Sequence, residues 1–84
     1  MVNCMKHANI TAAQIRAARA LLDWSRDRLS AKSGVSVRTL VSIESDTAHP
    51  RLQTLEAIKT TLSKADILFI EENGGGQGVR LKKR

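Results

Sequence analysis

Residues Trp24 to Glu44 read WSRDRLSAKSGVSVRTLVSIE, and they carry the strongest structural signals in the chain. Ser25 is a preferred N-cap residue, and Trp24 and Leu29 stand at the N′ and N4 positions of a hydrophobic staple. Gly34 supplies a position for positive φ, at which a short helix ends. The stretch is therefore predicted to begin with a capped helix that stops at a glycine turn.

The same signals recur directly after the glycine. Ser36 is a second N-cap candidate, with Val35 and Leu40 at staple spacing. Leu40 and Ile43 repeat at i and i+3, so they are expected to face a core. The residues left on the outward face of this second helix are Val37, Arg38, Val41 and Ser42.

This outward face is chemically open. Its first turn carries one arginine among small or hydroxyl-bearing side chains, and no long acidic one. A helix of this kind suits insertion into the major groove of DNA, because nothing blocks the approach to the base edges. Residues 24–44 are therefore predicted to form a helix-turn-helix unit.

The order of these residues also carries a family resemblance. The run S-x-x-x-L-S-x-x-x-GVS-x-x-T-L-x-x-I-E, followed by a leucine-rich segment after His49 and Pro50, resembles the phage-repressor-like helix-turn-helix family, called XRE or Cro-type. The similarity spans Ile15 to Leu62. It implies a mainly α fold, a four-helix lambda-repressor-like domain, and the function of a sequence-specific double-stranded DNA-binding transcriptional regulator.

The resemblance also implies roles for single residues. Val37, Arg38 and Ser42 fall on positions that touch bases in related repressors, and Val41 lies beside them. An arginine at such a position can donate two hydrogen bonds to guanine O6 and N7, a valine can contact a thymine methyl group, and a serine can bond a base or a phosphate.

The resemblance has two further implications. One concerns Glu44, at the end of the second helix of the helix-turn-helix unit, and the other concerns Arg26, at the start of its first helix. The family arginine at the Arg19 position often pairs with the glutamate at the Glu44 position, which implies a structural ion pair here. Arg26 stands where the family commonly has glutamine. Arginine departs from that pattern and favours a contact to the DNA backbone over base reading.

Contacts to the DNA backbone are expected at helix N-termini and in the loop after residue 45. Unpaired N–H groups and the helix dipole attract a phosphate to an N-terminus, and the loop can approach the next phosphate. The predicted backbone-contact residues are Ser25, Arg26, Ser36, Thr47, His49 and Arg51.

The flanking segments complete the predicted helical domain, which covers residues 11–65 after a flexible N-terminal arm of residues 1–10. Thr11 and Gln14 have capping-box spacing, so a first helix is expected from about residue 11 to residue 23. Its predicted buried stripe is Ile15, Ala18 and Leu22. A helix over residues 52–64 is expected to pack against the first and third helices through Leu52, Leu55, Ile58 and Leu62.

Residues 66–84 predict a C-terminal β-hairpin and a basic tail. An apolar run over residues 67–70 is followed by a glycine-rich turn and by an alternation of apolar and basic residues. An isolated hairpin is marginal in water, so it needs a partner surface. Two arrangements remain open, packing on its own helices or edge pairing with a second subunit. The second is favoured, because helix-turn-helix proteins that read duplexes generally act as two-fold dimers.

Composition narrows the class of partner. The 84 residues include 14 Lys and Arg against 8 Asp and Glu, a formal charge of +6, which favours an anionic partner. Trp24 and Phe69 are the only aromatic residues, so base stacking of single strands is not expected and a duplex fits better. The alternative from another functional class is an antitoxin-like protein-interaction module, which binds a small protein partner and uses DNA only for autoregulation.

Other functions lack a sequence signal. No nucleophile with a base, carboxylate pair or cluster of metal-ligand residues is visible, so neither an enzyme nor a metal or cofactor site is expected. Cys4 is the single cysteine and has no internal disulfide partner. With no signal peptide and no apolar run near 18 residues, a cytoplasmic protein without a membrane segment is expected.

Overall fold

The computed structural model describes residues 10–45, 47, 50–71 and 74–82. Four helices are followed by a two-stranded antiparallel hairpin, which confirms the predicted mainly α fold. The elements are α1 (Ala12–Leu22), α2 (Arg26–Ser33), α3 (Val37–Glu44), α4 (Leu52–Lys64), β1 (Ile67–Ile70) and β2 (Gly78–Leu81).

Local hydrogen bonds explain where α1 begins and ends. The Gln14 backbone N–H donates to Thr11 Oγ1 at 3.1 Å, and the Thr11 N–H donates to Gln14 Oε1 at 2.9 Å. These reciprocal bonds form the predicted capping box. Asp23 then takes a left-handed conformation with φ of 58°, which ends the helix near the predicted position.

The two helices of the helix-turn-helix segment begin directly after the predicted N-cap residues. Ser25 and Ser36 have extended backbones and accept N–H bonds from the third residues of α2 and α3. Gly34 between them has φ of 80°, a conformation that glycine adopts without the strain of a Cβ atom. Short-range signals therefore fix the relative positions of α2 and α3 along the chain.

The core lies between the helices and the inner face of the hairpin. Its buried apolar residues are Ile10, Ile15, Ala18, Leu29, Val35, Leu40, Ile43, Leu55, Ile58, Leu62 and Ile67. Ile10, which the prediction placed in the flexible arm, is 8% exposed and belongs to this core. The rest of that arm, residues 1–9, lies outside the described residues.

Helix α4 packs differently from the prediction. It lies mainly against α2 and β1, and not mainly against α1 and α3. Leu52 is 37% exposed because it stands at the first position of α4, so the buried stripe begins one turn later, at Leu55. The hairpin takes the space that the prediction had given to contacts with the first helix.

The hairpin packs on its own helices. Its register pairs Ile67 with Leu81 and Phe69 with Val79. Ile67 is 2% exposed, and Phe69 and Val79 pack against the core. Strand β1 contacts α4 and β2 contacts α1. The partner surface that the hairpin needs is therefore present within the chain, in the arrangement that the sequence did not favour.

Candidate nucleic-acid interface

Helix α3 separates buried from outward residues along its length. Leu40 and Ile43 are buried in the core, as predicted, and Glu44 is only 2% exposed. On the opposite side, Arg38 and Val41 are exposed, while Val37 and Ser42 are half-buried. One face of this short helix is therefore held by the scaffold, and the other presents an arginine with small side chains.

A buried ion pair attaches the end of α3 to α1. Arg19 Nε donates to Glu44 Oε2 at 2.8 Å, and Arg19 Nη2 donates to Glu44 Oε1 at 2.8 Å. The side chain of Arg19 is 19% exposed and that of Glu44 is 1% exposed. Two parallel bonds between charged groups fix orientation as well as distance. Arg19 Nη1 also donates to the Trp24 carbonyl at 3.0 Å, so the same side chain holds the α1–α2 connection.

Two more arginines reach Glu44. Arg26 Nε, from the first residue of α2, donates to Glu44 Oε1 at 3.1 Å. Arg16 Nη1, from α1, donates to the backbone carbonyl of Glu44. This carbonyl is one of the last in α3, and the last carbonyls of a helix have no partner within the helix. Side chains from α1 and α2 therefore converge on the final residue of α3.

The electrostatics of this contact follow from its geometry. Burial raises the pKa of Glu44, but the hydrogen bonds and positive charges of Arg19, and then of Arg26, outweigh it and hold the pKa below its ordinary value of 4.5. The hydrogen bond to Glu44 raises the pKa of Arg19 above its ordinary value, against the effect of burial. Glu44 and Arg19 are therefore both charged throughout the physiological pH range.

Arg38 differs from these three arginines. It is the second residue of α3 and is exposed, and its guanidinium has no hydrogen bond or ion pair within the described part of the chain. All its donors are therefore available to an external acceptor. An arginine that contacts a base edge or a phosphate needs such free donors.

The two N-cap serines differ in their capacity to donate. Ser36 Oγ accepts from the Thr39 N–H at 3.1 Å and donates to Thr39 Oγ1 at 2.9 Å, so its proton is already used. Ser25 Oγ accepts from the Arg28 N–H at 3.1 Å and, among the residues that the structure describes, donates to none. Of these two N-cap hydroxyl groups, that of Ser25 keeps a proton for a phosphate oxygen.

The loop residues predicted to contact the DNA backbone also differ in whether their polar groups are already bonded within the chain. The Thr47 N–H and Oγ1 both approach the Ser42 carbonyl, at 3.0 and 3.2 Å, so Thr47 closes the end of α3 and its hydroxyl is engaged. Arg51 precedes α4 as its N-cap residue and is exposed. His49 lies outside the described residues.

The remaining cations of α2 lie over an indole ring. The Arg28 guanidinium and the Lys32 ammonium are 5.8 and 5.7 Å from the centre of the Trp24 ring. Both residues are exposed, and cation–π contacts at exposed sites are weak. Arg28 and Lys32 therefore lie on a solvated face of α2, with Trp24 as an additional neighbour.

Comparison with known families shows which family the chain belongs to. The model of the helix-turn-helix family HTH_3, of the XRE type, matches residues 15–64. The chain belongs to this family. A search of the curated proteins found no match. Membership confirms the resemblance that the motif carried, and it makes this chain a DNA-binding regulatory helix-turn-helix protein.

The matched region of this helix-turn-helix protein ends with α4 and does not include the hairpin. None of the described helices has the length and apolar character needed to cross a membrane. Among the same residues, no group of three or more His, Cys, Asp or Glu side chains has an arrangement that could hold a metal ion.

The buried side chain of Gln14, on α1, makes long-range hydrogen bonds that the sequence did not predict. Gln14 is 5% exposed, and its Nε2 donates to the backbone carbonyls of Gly78 at 2.9 Å and Ile70 at 3.3 Å. The capping-box pattern predicted only the local bonds of Gln14. No short-range pattern signals a bond to a strand more than 50 residues away, so this attachment of the hairpin to α1 was missed.

Proposed function

We propose that this protein is a sequence-specific transcriptional regulator that binds double-stranded DNA as a dimer on a pseudopalindromic operator. The observation that carries the proposal is the division of α3 into a face fixed by the core and by Glu44, and an outward face that presents Arg38. A reading helix needs both properties, because base discrimination depends on side chains held in a defined register against the groove.

In this proposal the outward face of α3 enters the major groove. Arg38 is the principal base reader and bonds guanine, Val37 and Val41 contact thymine methyl groups, and Ser42 bonds a base or a phosphate. Val37 and Ser42 are half-buried and have short side chains, so these side chains extend little beyond the surface of the domain. The DNA must therefore approach α3 closely for these two residues to take part.

Backbone contacts surround this face. Ser25 and Arg26 at the start of α2 and Arg51 at the start of α4 are the donors that the contact pattern favours, and His49 is proposed from the sequence alone. The hydroxyl groups of Thr47 and Ser36 already donate within the chain, so a phosphate contact by either hydroxyl would require it to leave that bond. With six to ten neutralised phosphates, the logarithm of the binding constant should fall with the logarithm of salt concentration with a slope of roughly −5 to −9.

For the dimer, we propose that the outer edge of β1 pairs with its copy in a second subunit. In the described residues the sheet has only the order β1–β2, so β1 has one edge with no strand beside it. Its sequence, ILFI, carries no charge, whereas β2 contains Arg80 and is followed by Lys82. Charged residues on an edge strand oppose pairing, which favours β1.

This dimer is tested with a charged substitution on the same strand. Leu68 lies on β1 opposite Arg80 and is half-buried, so Leu68→Lys places a charge on the pairing edge without entering the core position of Ile67. Analytical ultracentrifugation should show a dimer for the wild type and a monomer for Leu68→Lys. Leu21→Lys, at a residue 45% exposed on α1, is the matched control and should stay dimeric. A dimeric Leu68→Lys protein contradicts the β1 interface.

The experiment that tests the function is selection of duplexes from a random library by the purified protein, followed by sequencing. An enriched inverted repeat with half-sites about one helical turn apart is the expected result. Recovery without enrichment would mean that charge alone drives binding. In that case the antitoxin-like alternative is tested by co-purification of a small protein partner from the native host.

A further inference from the structure

The charges around Glu44 do not balance. Its Oε1 accepts from both Arg19 Nη2 at 2.8 Å and Arg26 Nε at 3.1 Å, and its Oε2 accepts from Arg19 Nε at 2.8 Å. One carboxylate therefore accepts from two guanidinium groups, and one positive charge of these three groups is uncompensated, in addition to that of Arg16 at the Glu44 backbone carbonyl. Of the two arginines on the carboxylate, Arg26 has a side chain that is 42% exposed and Arg19 one that is 19% exposed, so the excess charge of this group lies nearer to solvent at Arg26.

The bond to Glu44 uses only part of the Arg26 guanidinium. Nε is the donor, and within the described residues the two terminal amino groups of Arg26 make no hydrogen bond. Arg26 is also the first residue of α2, directly after the N-cap Ser25. Its free amino groups therefore lie at the same helix end as the Ser25 hydroxyl and the unpaired N–H groups of the first turn.

We propose that Glu44 is a positioning residue for DNA binding, which holds Arg26 by its Nε so that the terminal amino groups face a phosphate at the start of α2. This inference rests on the proposed function. An arginine that is already held loses less side-chain entropy when it binds, because part of that loss occurs on folding. Glu44 thus serves the interface through Arg26 as well as the scaffold through Arg19.

The first test compares Arg26→Gln with Arg28→Gln, which removes the same charge two residues further along α2. Binding is measured by fluorescence anisotropy with a mixed-sequence duplex of about 25 base pairs, between about 50 and 200 mM salt, since phosphate contacts act on any sequence. Arg26→Gln should bind roughly tenfold more weakly, with a salt slope shallower by about one. Arg28→Gln should keep the wild-type slope.

Arg26→Lys separates position from charge. A lysine ammonium keeps the positive charge, but it has no Nε–H that can bond Glu44 while a pair of amino groups remains free. Arg26→Lys should therefore recover the wild-type salt slope without recovering the wild-type affinity. Full recovery of both by lysine would show that the charge alone matters, which overturns the positioning role of Glu44.

The role of Glu44 is read directly in the uncomplexed wild-type protein. Nitrogen-15 NMR of arginine side chains should show slow exchange of the Arg26 Nε proton with water, like that of Arg19, and fast exchange for Arg28. This measurement does not depend on whether Glu44→Gln folds. If Glu44→Gln folds, the further substitution Arg26→Gln should lower duplex affinity less in that background than in the wild type, because the charge of Arg26 remains there but its position is no longer fixed.

The outcomes distinguish the two proposals. A folded wild-type protein that binds no duplex at low salt overturns the proposed function, and this inference with it. A wild-type protein that binds the duplex, with equal losses for Arg26→Gln and Arg28→Gln, leaves the proposed function standing and overturns the inference alone. Fast exchange of the Arg26 Nε proton has the same meaning.

Discussion

Arg19 and Glu44 are joined by two hydrogen bonds of 2.8 Å, between side chains that are 19% and 1% exposed. The pair connects the last turn of α1 to the last residue of α3. A buried carboxylate that loses its partner is strongly unfavourable, whereas an intact pair contributes little net stability against apolar residues. The pair is therefore best understood through what happens when one member is removed.

Removal of Arg19 is expected to destabilise the fold. Arg19→Met keeps much of the side-chain volume but leaves the Glu44 carboxylate with Arg26 alone, so the free energy of unfolding should fall by roughly 2–4 kcal/mol. Urea denaturation at pH 7 measures it. Arg28→Met, at an exposed position of α2, is the control and should change stability by less than about 0.5 kcal/mol. Equal stabilities of the two variants would show that the buried pair is dispensable.

The pH dependence of stability should carry the signature of Glu44. Its pKa in the folded protein is lowered, so the unfolded chain binds a proton more readily as the pH falls. The stabilising contribution is complete above the ordinary pKa of 4.5 and disappears as the pH falls through the lower folded value. Thermal denaturation between pH 7 and pH 2 should show this loss, and Glu44→Gln should have a flatter profile there. Parallel profiles would contradict the lowered pKa.

Arg38→Ala should affect specificity and leave the fold intact. The side chain is exposed and makes no hydrogen bond or ion pair among the described residues, so the melting temperature should stay near that of the wild type. On the selected operator the loss should be about 1–3 kcal/mol, with one base position relaxed. Repeating the selection with the variant measures both effects. A uniform loss on every sequence would reassign Arg38 to a phosphate.

Gln14→Glu should loosen the hairpin without removing the cap of α1. A glutamate at this position can still accept from the Thr11 N–H, but it cannot donate to Gly78 and Ile70 and would place a carboxylate against their carbonyls. The expected cost is about 1–3 kcal/mol. Hydrogen exchange of the β1 and β2 amides should accelerate more than that of α3. Exchange rates that match the wild type would show that core packing alone holds the hairpin.

The local features of this fold were predictable because each depends on residues only a few positions apart. The bond between Ser36 and Thr39 spans three residues, as does the capping box of Thr11 and Gln14. The Arg19 and Glu44 contact spans 25 residues and followed only from the family resemblance. Helix propensity and hydrophobic periodicity carry no information about contacts between residues so far apart in the sequence.

For the same reason, the packing position of the hairpin could not be predicted from local sequence patterns. Its attachment to α1 depends on bonds from Gln14 to residues 56 and 64 positions later, and no sequence pattern links such distant residues. The role of Arg26 was missed in part for a related reason. The family position commonly carries glutamine, which is uncharged, so the resemblance gave no cause to expect a second cation at Glu44.

The arrangement of α3 has a consequence for engineering. The side chains that would choose the operator, Val37, Arg38, Val41 and Ser42, are separate from Leu40, Ile43 and Glu44, which hold the helix in place. Arg38 and Val41 are exposed, and exposed substitutions generally cost little folding free energy. A library randomised at these two exposed positions can therefore be screened for new operators on one constant scaffold, because such a change of DNA preference requires no repacking of the interior.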